Sequence, residues 1–202
     1  MTIQGQIHMS KKTRPAIGIL ALQGDFEAHK RAVERAGGDP VEVRTKSDLD
    51  AIDGLIIPGG ESTTMLKMLA EEDLFEPLRR FGRTKPIFGT CAGAILLAKE
   101  VLNPRQDSLE LMDLTVERNA YGRQIDSRIA QLELDGESLE AVFIRAPVIR
   151  KAGSGSHVLM SYNGDPVLVE QGNHMAATFH PELAGGAAIH RRFVEKVAES
   201  RG

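Results

Sequence analysis

From Pro15 onward, short apolar runs alternate with stretches whose apolar residues recur at helical spacing, the pattern of an α/β domain built on a largely parallel sheet. Ala16-Ile17-Gly18-Ile19-Leu20-Ala21 predicts a buried first strand. Phe26, His29, Val33 and Ala36 then fall on one helical face, and Gly37-Gly38 stops that helix. Val41-Glu42-Val43 predicts a second strand and Gly54-Leu55-Ile56-Ile57 a third, which ends abruptly at Pro58-Gly59-Gly60. Ser62 or Thr63 is placed to cap the next helix, which carries Met65, Leu66, Met68 and Leu69. Ile87-Phe88 predicts a short fourth strand feeding Gly89-Thr90-Cys91-Ala92-Gly93, followed by the helix-forming run 94–98.

Beyond Glu100 the helical signals fade, and β-rich segments at 114–118, 141–144, 158–162, 166–170 and 176–179 predict an added antiparallel part. Ile189, Phe193, Val194 and Val197 restore helical spacing over 187–198, a closing helix returned to the sheet. Residues 1–14 are mixed polar and basic without an apolar h-region, and read as a loose N-terminal extension to one domain spanning 15–202.

Composition narrows the function classes. A chain of 202 residues buries roughly two-thirds of its unfolded surface in a single core. A net charge of -3 supplies no electrostatic footprint for nucleic acid or an anionic membrane, and no apolar run approaches the length of a membrane span. The single cysteine excludes an internal disulfide framework and points to a reducing cytoplasm.

That cysteine carries the strongest chemical signal. Gly89-Thr90-Cys91-Ala92-Gly93 lies between an apolar strand and a helical run, the setting of a nucleophile elbow with cysteine in place of serine. The glycines allow a sharp turn, and the following helix points its N-terminal amides at the sulfur, which favours a thiolate. A buried structural cysteine is the common alternative, but it does not account for the two flanking glycines.

A thiolate nucleophile needs a proton-transfer partner, and His180 in Thr178-Phe179-His180-Pro181-Glu182 is the best candidate. In an extended segment residues two apart share a face, so Glu182 can orient one imidazole nitrogen while the other addresses Cys91. His8 lies in the extension, His29 and His190 fall on helices, and His157 and His174 lack a carboxylate two residues on. Backbone N–H groups of Gly59 and Gly60, with that of Ala92, are candidates for an oxyanion hole.

Together, Pro58-Gly59-Gly60-Glu61-Ser62-Thr63-Thr64, the Cys91 elbow and Phe179-His180-Pro181-Glu182 resemble class I glutamine amidotransferases. Leu22-Gln23-Gly24, Glu117-Arg118-Asn119-Ala120-Tyr121-Gly122-Arg123-Gln124 and Phe143-Ile144-Arg145-Ala146-Pro147 narrow this to a resemblance with the glutaminase subunits of pyridoxal 5'-phosphate synthase. Ser127-Arg128 departs from that pattern, which has an aromatic residue after the serine.

The resemblance implies a three-layer α/β fold with an added antiparallel part, and a Cys91, His180 and Glu182 triad. It also implies glutamine binding by Gly59, Gly60, Glu61, Arg118, Ile144 and Arg145. Arg118 is suited to the α-carboxylate of free L-glutamine, and Glu61 or backbone carbonyls to its α-ammonium. Gln23 is implied near the oxyanion and a partner interface. The partner would be a separate (β/α)8-barrel synthase subunit that receives ammonia and makes pyridoxal 5'-phosphate, while this chain holds no cofactor and no metal. Two other classes compete. A stress-response cysteine peptidase or deglycase also carries a cysteine elbow, but the Gly-Gly-Glu-Ser turn and His-Pro-Glu segment argue against it. A binding module that has lost catalysis would not keep all three triad positions filled.

Overall fold

The computed structural model describes residues 14–120 and 127–201. Most of the N-terminal extension and Tyr121-Gly122-Arg123-Gln124 lie outside the described residues. In chain order the elements are β1 (Ala16–Leu20), α1 (Phe26–Arg35), β2 (Asp39–Val43), β3 (Gly54–Ile57), α2 (Ser62–Glu71), α3 (Phe75–Gly82), β4 (Ile87–Thr90), α4 (Ala92–Leu97) and β5 (Ala98–Leu102). They continue with β6 (Met112–Glu117), β7 (Ser127–Leu134), β8 (Glu137–Ile144), β9 (Val148–Ala152), β10 (Ser156–Tyr162), β11 (Asp165–Gln171), β12 (His174–Ala177) and α5 (Ala188–Ser200).

The main sheet has the order β10-β11-β12-β4-β3-β1-β2. The pairs from β12 to β2 are all parallel, and β11 and β10 add to that edge in antiparallel sense. Because side chains alternate across a strand, Ile17, Ile19, Ile56 and Phe88 face one way and pack with Val33 of α1 and Phe193 and Val197 of α5. Leu20, Leu55, Ile57 and Ile87 face the other way, toward Met65 and Leu69 of α2 and Leu78 of α3. Burial on both faces explains why these strands read as continuous apolar runs. Each fully buried Ile, Leu or Phe contributes roughly 1.5 to 3 kcal/mol by leaving water.

The β-rich second half is more varied than its periodicity predicts. β10, β11 and β12 extend the main sheet, β5, β6 and β9 make a separate sheet, and β7 and β8 form a hairpin. Asp135-Gly136 closes that hairpin with positive φ at both residues, as a two-residue turn matching strand twist requires. Arg128, at the departure from the family pattern, is exposed on β7 opposite Phe143. No helix among the described residues is long and apolar enough to cross a membrane.

Three local expectations need correction. The run 94–98 is not one helix: α4 spans Ala92–Leu97, and Ala98 turns to extended backbone and opens β5, where Val101 joins the core. Neither Ser62 nor Thr63 caps α2. Glu61 is the N-cap, and its carboxylate accepts from the amides of Thr63 at 3.0 Å and Thr64 at 2.7 Å, satisfying two of the helix's unpaired donors. The His180 to Glu182 segment is not extended: Pro181–Leu183 is a short 3-10 turn, with proline fixing its first position.

Candidate active site

Three loops converge because they leave the carboxyl ends of adjacent parallel strands, β3, β4 and β12. Ile57 pairs in register with Gly89, and Thr90 with Ala177. The main chain leaves β4 through Cys91 at φ 49° and ψ -105°, a conformation costing on the order of 1 to 3 kcal/mol, tied down by a 2.8 Å bond from its amide to the Ala177 carbonyl. A Cβ at Gly89 would overlap the Gly93 backbone, and one at Gly93 would overlap the Ile57 carbonyl, so both glycines are required for strand, turn and helix to pack this closely. Ala92 begins α4, whose first amides have no partner within the helix. At six residues that helix is too short to carry a full macrodipole, so a neighbouring charged side chain weighs more in the field at the sulfur.

His180 is that neighbour. Its ring interacts with the Cys91 side chain, and its Nδ1 lies 2.8 Å from Oε1 of Glu182. Burial by itself would lower the imidazole pKa. The hydrogen bonds and charges of Cys91 and Glu182 together outweigh burial and raise it to about 10. His180 is anchored through its amide, which donates to the Val142 carbonyl of β8 at 2.8 Å. Glu182 is buried, with a side chain 1% exposed. The pair expected from an extended segment thus forms at the mouth of a turn instead, with His180 as the N-cap and Glu182 inside the turn.

Gly59 lies directly against both groups: a Cβ there would sit 2.5 Å from Cε1 of His180 and 3.2 Å from Cβ of Cys91. Gly60 has φ 140° and packs on the Gln23 side chain, whose Nε2 donates to the Glu61 carbonyl at 2.5 Å. Gln23 therefore holds the glycine turn from outside. Ile144 brings its carbonyl to 4.0 Å from the Cys91 sulfur, and Arg145 follows with a left-handed backbone and an exposed side chain. Arg118, on the loop after β6, has a side chain only 11% exposed; its Nη2 donates to Thr63 Oγ1 at 2.8 Å and to Glu61 Oε1 at 3.2 Å.

The Glu61 carboxylate is more committed than its expected role requires. Partial burial would raise its pKa, but bonds from the Thr63 and Thr64 amides and the Thr64 hydroxyl hold it down at about 2. With those bonds and the Arg118 pair in place, its oxygens are engaged in capping α2 and steering Arg118.

Two histidines that fall on helices meet behind Glu182. His29 of α1 and His190 of α5 are both fully buried. His29 Nε2 lies 3.3 Å from Glu182 Oε2 and 3.3 Å from Thr90 Oγ1, and its Nδ1 is 2.9 Å from His190 Nε2. The available signal was His29 within the apolar stripe of Phe26 and Val33, since a titratable group on a core-facing stripe must find a buried partner.

Residues 19–199 match the model of the SNO glutamine amidotransferase family. The chain is 60% identical over 190 residues to the pyridoxal 5'-phosphate synthase subunit PdxT of Solibacter usitatus, covering 90% of this chain and 98% of that one. It is 54% identical over 183 residues to the PdxT of Koribacter versatilis, covering 90% and 95%. Among solved structures, a glutamine amidotransferase superposes with TM-score 0.84 at 46% identity, covering 90% of this chain and 98% of that one. PurLQS of Thermotoga maritima shares the fold at TM-score 0.68 and 19% identity, over 93% and 97% of the two chains. The match over nearly the whole sequence, to a family model and to relatives at this identity, places the chain in the SNO glutamine amidotransferase family.

Proposed function

We propose that this chain hydrolyses L-glutamine to L-glutamate and ammonia, and delivers the ammonia to a separate synthase subunit that makes pyridoxal 5'-phosphate. The observation that carries the reading is the convergence of Cys91, the His180–Glu182 pair and the Gly59-Gly60 turn at three adjacent strand ends. Two of its relatives are named as subunits of that synthase, which supports the partner. A single reactive thiol suits a reducing cytoplasm.

The Cys91 thiolate attacks the side-chain amide carbon, and the N–H groups of Gly59, Gly60 and Ala92 receive the developing oxyanion. His180 gives its proton to the departing nitrogen, the C–N bond breaks, and ammonia leaves behind a γ-glutamyl thioester. Water then gives a proton to His180 and attacks the thioester, and collapse releases glutamate and restores the thiolate. Glu182 keeps Nδ1 protonated and the ring in place throughout.

Arg118, already aimed by Thr63 and Glu61, would hold the α-carboxylate. Arg118→Ala is expected to raise KM for glutamine roughly tenfold to hundredfold with a smaller change in kcat, the loss of one charge-assisted bond of about 1.5 to 3 kcal/mol. An unchanged KM would remove Arg118 from the site.

Uncoupled hydrolysis would waste glutamine, so docking of the synthase is the natural trigger. The Gly59-Gly60 turn, held by Gln23, is the element able to reorient its peptide on docking. The deciding assay measures glutamate release with and without the cognate synthase. Absence of glutamate in both would refute the proposal, and equal rates would refute the trigger.

A further inference from the structure

Behind the proposed triad lies a buried chain of polar groups for which the reaction above has no use. Glu182 presents one oxygen to His180, and its other oxygen, Oε2, is fully buried without a well-formed hydrogen bond. The group facing that oxygen is Nε2 of His29 at 3.3 Å, and behind His29 stands His190 at 2.9 Å. We propose that His29 is a positioning residue, donating its Nε2–H to Glu182 so that the carboxylate's other oxygen stays fixed on His180. The inference rests on the glutaminase reading of Cys91, His180 and Glu182.

The argument runs through tautomers. An ionised carboxylate only accepts hydrogen bonds, so a bare nitrogen at Nε2 would set lone pair against lone pair in a site closed to water. Nε2 therefore carries hydrogen, and the Thr90 hydroxyl, also 3.3 Å away, shares it. Nδ1 of a neutral ring is then an acceptor, and it receives the Nε2–H of His190. His190 Nδ1, which has no partner, is left as a lone pair, where the opposite arrangement would bury an orphaned N–H.

The charged surroundings agree. Burial first, then His190 and His180, disfavour a cationic His29, while burial and then Arg35 hold His190 down at about 3. Both rings are neutral at ordinary pH, and one proton arrangement satisfies the whole chain. The rings come from the two helices covering one face of the sheet, α1 and α5. The packing of those helices thereby sets the orientation of a group at the strand ends.

The test compares His29→Leu, which fills the space without a donor, with His29→Gln, whose amide nitrogen can reach the place of Nε2. Both are assayed for glutamine hydrolysis in complex with the synthase. His29→Leu is expected to lower kcat about tenfold or more with KM for glutamine unchanged, as loss of an orienting partner does, and His29→Gln to recover most of it. Alkylation of Cys91 by iodoacetamide at pH 7, which needs no glutamine, is expected to slow in His29→Leu and recover in His29→Gln. If either variant misfolds, nitrogen-15 histidine spectra of the wild-type protein decide instead, with His29 expected as the neutral Nε2–H tautomer.

An Nδ1–H tautomer, a His29→Leu kcat within twofold of wild type, or an equal loss in both variants would overturn the proposal. A wild-type complex that releases no glutamate would overturn the glutaminase reading instead. In that case the alkylation rates and the tautomer would still decide whether His29 positions Glu182.

Discussion

A Cys91→Ala protein, folded and bound to its synthase, is expected to release glutamate from glutamine at least roughly ten-thousandfold more slowly than wild type. Losing a nucleophile removes the covalent route and leaves only the donors of the oxyanion hole and the bound geometry. The fold should survive, because Cys91 is small and its strained backbone is held by the Ala177 carbonyl and the glycine contacts. The same complex should still make pyridoxal 5'-phosphate from added ammonium salt, since only the ammonia source has been lost. Following product absorbance with each nitrogen source in turn checks both halves. Near-normal glutamate release would sink the nucleophile assignment. Failure with ammonium, where the synthase alone succeeds, would show that this subunit does more than supply ammonia.

His180→Asn is expected to cost nearly as much, and more than Glu182→Gln, because removing the base removes both proton transfers while removing the orienting group leaves a misaligned base in place. Glu182→Gln should retain roughly tenfold or more activity than His180→Asn. The reverse order in measured kcat would overturn the two roles. The pH behaviour follows from the same contacts. With a folded pKa raised to about 10, His180 remains a cation at neutral pH, and its attraction for Cys91 and Glu182 is fully present below the ordinary histidine value near 6.5. That contribution is lost only as pH rises through about 10. Cys91 alkylation at pH 7 should therefore be faster in the wild type than in His180→Asn, which lacks that cation. Equal rates in the two proteins at pH 7 would contradict a thiolate held by His180.

The parts legible in the sequence were those written locally. Short apolar runs mark β1, β3 and β4 because both faces of each strand are covered. The glycines around Cys91 mark the elbow because no side chain fits there. The hairpin β7–β8 was visible only in part, since β7 has an exposed Ile129 and a pattern too polar to read as core, yet it pairs along its whole length. α3 went unread because its apolar face, Leu78 and Phe81, is short and is interrupted by Pro77, which a first turn tolerates.

Local sequence was enough to mark the Cys91 elbow, to single out the histidine with a carboxylate within reach, and to give the α/β class. Each of these is carried by neighbours a few positions apart. Only the folded chain brings His29 and His190 together behind Glu182, commits Glu61 to its helix cap and to Arg118, and divides the later strands among three sheets. Those contacts join residues such as His29 and His190, separated by 161 positions, whose meeting depends on the order of strands and the faces the helices cover. Periodicity encodes which side of an element is buried, but it carries no information about which distant element is buried against it.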